Sequence, residues 1–183
     1  MATTPTIPER PGAITFKGSP MTLMGHALQV GDTAPEFALA ASDMTPTTWE
    51  TLSNHGQKAV LMILIPSIDT SICALETNKF NKHAASLPPD KVKVVTISAD
   101  TPFAQKRWAT EQKVDNLQLL SDHKERAFAD AYGVKIKELG LLTRAIYLVD
   151  KTGIIRYIET VPEVALEPDY DAALKATRQL VGN

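Results

Sequence analysis

The chain has 183 residues, enough for one domain to bury a substantial core without disulfides or metal. A net charge of −2, with lysines and arginines spread along the chain, gives no basic block for nucleic acid or an anionic membrane surface. One cysteine, Cys73, excludes an intramolecular disulfide and fits a reducing, cytoplasmic setting.

Residues Met1 to Gly12, rich in Thr and Pro and without an apolar h-region, read as a flexible N-terminal tail rather than a secretory signal. A single domain is expected over residues 13–183. Ala13 to Leu23 alternates around Gly18-Ser19-Pro20 as a β-hairpin would, and Val30 to Leu39 is an irregular entry to a strand. Ala59 to Ile65 is a continuous apolar run stopped by Pro66, suited to a central strand covered on both faces. It is far short of the ~20 residues a membrane span needs.

A helix is expected from about Ser71 to Ser86, with Ile72, Leu75, Phe80, Ala84 and Leu87 at helical spacing and Pro88-Pro89 as its stop. Val92 to Ser98 is a second buried strand. Phe103 to Lys113 is a helix with Pro102 in its first turn. Leu117 to Leu120 is a short strand, and Lys124 to Tyr132 a short helix closed by Gly133. Ala145 to Val149 and Ile154 to Ile158 are strands joined through Asp150-Lys151-Thr152-Gly153, and Asp169 to Leu180 is the last helix. Parallel strands need helical crossovers, so this order implies an α/β fold. A mixed central β-sheet with flanking helices and an N-terminal β-hairpin is a thioredoxin-like arrangement.

Pro66-Ser67-Ile68-Asp69-Thr70-Ser71-Ile72-Cys73 places a cysteine in the first turn of a helix leaving the carboxyl end of a central strand. Ligands bind at that edge of open α/β sheets. Unpaired N–H groups and the helix dipole there favour thiolate over thiol. Thr70 suits the N-cap while offering its hydroxyl hydrogen to the sulfur or a bound oxygen. A lone intracellular cysteine is more often an inert small hydrophobe; its place at a helix start argues otherwise. Glu76 lies one turn on, where a carboxylate would oppose the thiolate, so it is expected to face solvent. Trp49, Phe80 and Trp108 read as packing residues. The histidines His26, His55, His83 and His123 sit in no ligand spacing, so neither metal nor cofactor is expected.

The Pro66-x-x-x-Thr70-x-x-Cys73 pattern resembles the active-site signature of peroxiredoxins. Ser98-Ala99-Asp100-Thr101-Pro102-Phe103-Ala104-Gln105-Lys106-Arg107-Trp108, Ala131-Tyr132-Gly133 and Glu167-Pro168-Asp169-Tyr170 narrow the resemblance to the thiol peroxidases, over roughly Ile14 to Leu180. The resemblance implies a peroxidase that reduces hydrogen peroxide and alkyl or lipid hydroperoxides in antioxidant defence. It makes Cys73 the nucleophile that becomes a sulfenic acid. Thr70 becomes its hydrogen-bond partner, Pro66 its shield from water, and Arg144 the cation that holds the sulfur as thiolate and stabilises the leaving oxygen. It also implies thioredoxin as reductant and a homodimer. Spacing alone would leave Arg144 as a surface ion-pair residue.

The family's resolving cysteine is replaced here by Ala109, after Arg107-Trp108. Three explanations stand: a one-cysteine cycle recycled by an external thiol, an engineered Cys-to-Ala change, or a natural variant that has partly lost turnover. In each the sulfenic acid should persist and be open to overoxidation. A disulfide oxidoreductase needs Cys-x-x-Cys, and Cys73 is followed by Ala74-Leu75-Glu76. The remaining alternative is a peroxide sensor without turnover, or a thioredoxin-fold interaction module.

Overall fold

A computed structural model describes residues 6–182. The chain opens with an antiparallel hairpin, β1 (Glu9–Phe16) and β2 (Ser19–Met24), then β3 (Ala38–Ala40), β4 (Pro46–Thr48) and the single turn α1 (Trp49–Leu52). The core elements follow: β5 (Ala59–Leu64), α2 (Ser71–Ala84), β6 (Val92–Ser98), α3 (Pro102–Gln112) and β7 (Gln118–Ser121). The chain ends through α4 (Ala127–Ala131), β8 (Lys135–Ile136), β9 (Leu141–Leu142), β10 (Ala145–Val149), β11 (Ile155–Thr160) and α5 (Tyr170–Val181).

Seven strands form one mixed sheet in the order β11-β10-β5-β6-β7-β3-β4. β5, β6 and β7 run parallel, joined through α2 and α3, and the outer strands pair antiparallel. This is the thioredoxin-like mixed sheet expected from the element order. β5 is apolar throughout because both of its faces are covered. Val60, Met62 and Leu64 face one cluster with Phe128, Ala129 and Tyr132 of the α4 region. Leu61, Ile63 and Ile65 face the other, with Cys73 and Phe80 of α2, Trp108 of α3 and Leu174 of α5. Each such buried aliphatic contributes roughly 1.5–3 kcal/mol.

The hairpin belongs to a second sheet, β1-β2-β8-β9. β8 and β9 are two residues each, too short to show a period. β1 starts at Glu9, inside the stretch read as tail, and residues 1–5 of that stretch lie outside the described residues. Its anchors are tertiary. Arg10 Nε donates to Gly25 O at 2.9 Å, its Nη2 donates to Gly133 O, and Glu9 pairs with Lys137 at 2.7 Å. Gly133 sits at φ +66°, where a Cβ would lie 2.1 Å from His26 O. No side chain fits that approach.

Helix α4 starts three residues later than expected, because Arg126 adopts a left-handed conformation and the Asp122 carboxylate accepts from Phe128 N and Ala129 N (3.2 and 2.9 Å). The buried face of α2 also differs from the apolar spacing. It is Cys73, Glu76, Thr77, Phe80 and Asn81, and Leu75 is exposed. Among the described residues no helix is long and apolar enough to cross a membrane.

Candidate active site

The ladder of β5 ends as Pro66, buried and without an N–H, turns the chain away. Thr70 takes extended dihedrals (φ −96°, ψ 147°) and caps α2, its Oγ1 accepting from Cys73 N at 3.3 Å. The threonine hydroxyl donates only a long 3.4 Å contact to Ser67 O, so little holds that hydrogen away from another acceptor.

The turn is clamped from the neighbouring strand. Asp100, just past β6, accepts from Ser67 Oγ (2.8 Å) and Ile68 N (2.9 Å). Ser98 Oγ donates to the same carboxylate at 2.5 Å and accepts from Gln105 Nε2 at 2.9 Å. Gln105, buried on α3, also reaches Leu120 O at 2.8 Å. Parallel pairing of Leu64 with Ile97 brings the end of β6 alongside the Cys73 turn. The Ser98–Gln105 block therefore holds the loop that carries the cysteine.

Arg144 arrives from the other side. β10 pairs antiparallel with β5, Ala145 opposite Leu64, which puts the preceding residue beside the mouth of the turn. Its guanidinium makes three contacts: Nη2 donates to Cys73 Sγ at 3.3 Å, Nε to Val164 O at 2.9 Å, and Nη1 to Glu76 Oε2. Cys73 and Glu76 have no exposed surface and Arg144 is 2% exposed. A cation so buried persists only when paired. Burial works against its charge, but the Glu76 carboxylate and the Cys73 sulfur more than offset that and hold the proton more tightly than on an ordinary arginine.

Glu76 does not face solvent as expected; it is buried against Arg144. Burial pushes its carboxyl up to about 7 against the lowering pull of Arg144. Burial prevails for two reasons: the guanidinium is shared with Cys73, and Glu76 Oε1 has no partner among the described residues. Close to neutrality Glu76 therefore takes up a proton, which lessens its opposition to the thiolate. The i, i+3 spacing from Cys73 is the signal that could have found it, since such residues share a helix face.

The structure thus joins Cys73, Thr70 and Arg144 by hydrogen bonds. Pro66 heads the same turn without one, and Glu76, Asp100, Ser67 and Val164 complete the surroundings. A cysteine with a fixed cation and a helix N-terminus at its sulfur is built to carry negative charge on sulfur. Ala109 is half-buried on α3 against the apolar cluster that includes Cys73, and Trp108 packs into the same cluster. Among the described residues no group of acidic, His and Cys side chains could hold a metal ion.

Residues 30–158 match the AhpC/TSA family. The chain is 45% identical over 166 residues to a thiol peroxidase of Halalkalibacterium halodurans, covering 91% of this chain and 97% of that one. It is 42% identical over 168 residues to a thiol peroxidase of Bacillus subtilis, covering 92% and 98%. Among solved structures, a peroxiredoxin-like protein from Aquifex aeolicus superposes with a TM-score of 0.85 at 35% identity, covering 93% of this chain and 98% of that one.

Proposed function

The chain belongs to the AhpC/TSA family, and we propose that it is a thiol peroxidase whose nucleophile is Cys73. The observation that carries this reading is the 3.3 Å contact of Arg144 Nη2 with Cys73 Sγ at the capped start of α2. The thiolate attacks one oxygen of the hydroperoxide, and an S–O bond forms as the O–O bond breaks. Sulfur is oxidised to sulfenic acid, the peroxide is reduced, and the departing alkoxide or hydroxide takes a proton to leave as alcohol or water. Arg144 and the Thr70 hydroxyl face the charge that develops on the leaving oxygen. Pro66, buried at the head of the turn, keeps water from the sulfenate.

Because Cys73 is the sole cysteine, the second half of the cycle uses an external thiol, thioredoxin or another. Two such thiol equivalents return the sulfenic acid to thiol, with release of water and formation of an external disulfide. From the N-terminal hairpin onward, starting at Glu9 rather than residue 13, the chain acts as one domain in the cytoplasm, a compartment consistent with a lone reduced cysteine. The chain pairs as a homodimer through the face around the active-site turn. Exposed Leu75, Phe103 and Leu166 support that surface. They lie on segments tied near the turn by Arg107–Asp69 (3.8 Å) and Lys79–Glu167 (2.7 Å).

Hydroperoxide consumption with catalytic protein and excess thioredoxin, glutaredoxin or small thiol tests the reading. Many turnovers with one of these, abolished in Cys73→Ser, is the expected result. Oxidation that stops at one equivalent with every reductant would replace the enzyme by a peroxide sensor.

A further inference from the structure

The third contact of Arg144, to Val164 O, belongs to a segment with no regular structure of its own. Pro162 to Leu166 follows β11 and is held by the N-terminal hairpin. Thr15 N donates to Pro162 O (2.8 Å) and Val164 N donates to Thr15 O (2.9 Å), a short parallel bridge. The Val164 side chain is buried in the hairpin's apolar cluster with Ile14, Leu23 and Ile136.

Between these backbone contacts sits Glu163. Its Oε1 accepts from Lys17 N (2.9 Å) and Ala165 N (2.9 Å), and its Oε2 from Thr15 Oγ1 (2.7 Å) and Gly18 N (3.0 Å). Lys17 and Gly18 are the hairpin turn, both at positive φ (50° and 81°), so their N–H groups converge on one acceptor. Those hydrogen bonds bring the Glu163 carboxyl down to about 2, and it is a carboxylate at every working pH. One side chain therefore fastens the turn of the hairpin to the segment whose next carbonyl fixes Arg144.

We infer that Glu163 is a positioning residue for the peroxidase site: with the hairpin it grips, it fixes Val164 O and through it the Arg144 guanidinium at Cys73. This rests on the reading of Arg144 as the cation that holds the Cys73 sulfur. The N-terminal hairpin, outside the seven-stranded sheet, is then part of the catalytic apparatus. Without Val164 O, Arg144 keeps its Glu76 partner on α2 but loses the contact at Nε that sets the angle of its guanidinium at the sulfur. Loss of the grip thus weakens the Cys73 contact more than it weakens the fold.

The test is a cycle on the full chain with Glu163→Ala, Arg144→Ala and the double variant. It reads the second-order rate of Cys73 oxidation by hydrogen peroxide and the pH midpoint of thiolate absorbance. Glu163→Ala is expected to slow oxidation on the order of 10-fold and raise the midpoint, since small displacements of a catalytic group have large effects. Glu163→Gln, keeping one acceptor oxygen, should fall between it and the parent. In the Arg144→Ala background Glu163→Ala should add nothing.

Equal factors in both backgrounds, or an unchanged rate and midpoint in Glu163→Ala, would overturn the inference. Should Glu163→Ala not fold, Thr15→Val removes one of the four carboxylate contacts and is read the same way. If Arg144→Ala alone leaves rate and midpoint untouched, the reading of Arg144 falls and this inference with it. If Arg144→Ala slows the reaction and Glu163→Ala does not, only this inference falls.

Discussion

Cys73, Glu76 and Arg144 place two acidic groups against one cation in a site closed to solvent, and Glu76→Gln exposes what that imbalance does. The Glu76 carboxyl stands at about 7 against an ordinary 4.5. At roughly 1.4 kcal/mol per unit, ionising it in the folded chain costs about 3 kcal/mol that the unfolded chain does not incur. A folded value above the unfolded one means that the native state binds the proton more tightly. Its stabilising contribution is complete below about pH 4.5 and is lost as pH rises through about 7.

Glutamine keeps an acceptor for Arg144 and cannot ionise. Urea unfolding of the parent and Glu76→Gln at about pH 4.5, 6 and 8 should show the difference moving in the variant's favour by about 3 kcal/mol across that range. The thiolate absorbance should also develop at lower pH in the variant, because Arg144 then has one anion to serve. Parallel stability curves would refute the reasoning, since they would mean that Glu76 titrates alike in both states.

Thr70→Val removes both the cap on Cys73 N and the hydroxyl proposed above to face the leaving oxygen. Stability should drop by about 1 kcal/mol and peroxide oxidation slow on the order of 100-fold, with Thr70→Ser restoring most of each. An unchanged oxidation rate would reduce Thr70 to a cap. Ala109→Cys supplies a second thiol on α3, and one equivalent of peroxide should then give an intramolecular disulfide with Cys73, seen by intact mass under non-reducing conditions. A persistent sulfenic acid in that variant would show that α3 and the Cys73 turn do not approach. In the parent, excess peroxide should drive Cys73 to sulfinic acid, and a mass stopping at sulfenic acid would contradict that.

The sheet centre was legible because β5 is apolar without alternation, as only a strand covered on both faces can be, and β6 is rich in valine and isoleucine. The Cys73 turn was legible because strand end, proline, cap and cysteine are consecutive. Arg144 was not, except through resemblance: its approach depends on β10 pairing with β5, a long-range register that local pattern does not encode. Glu76 misled for a different reason. An isolated carboxylate beside a thiol belongs in water, and only the guanidinium brought by that register makes its burial tolerable. The same burial displaced the apolar face of α2 and left Leu75 outside. β8 and β9 are too short to carry a period, and the anchors of β1 at Arg10 and Glu9 reach residues more than a hundred positions away.

The most direct measurement is the rate of Cys73 thiol loss with one equivalent of cumene hydroperoxide, beside free cysteine and Cys73→Ser. Loss many orders of magnitude faster than free cysteine, with a sulfenic-acid mass on Cys73, is what the proposed peroxidatic site, with Arg144 at the sulfur, predicts. A rate equal to that of free cysteine would contradict it, and would leave Cys73 a buried packing residue of a thioredoxin-like fold.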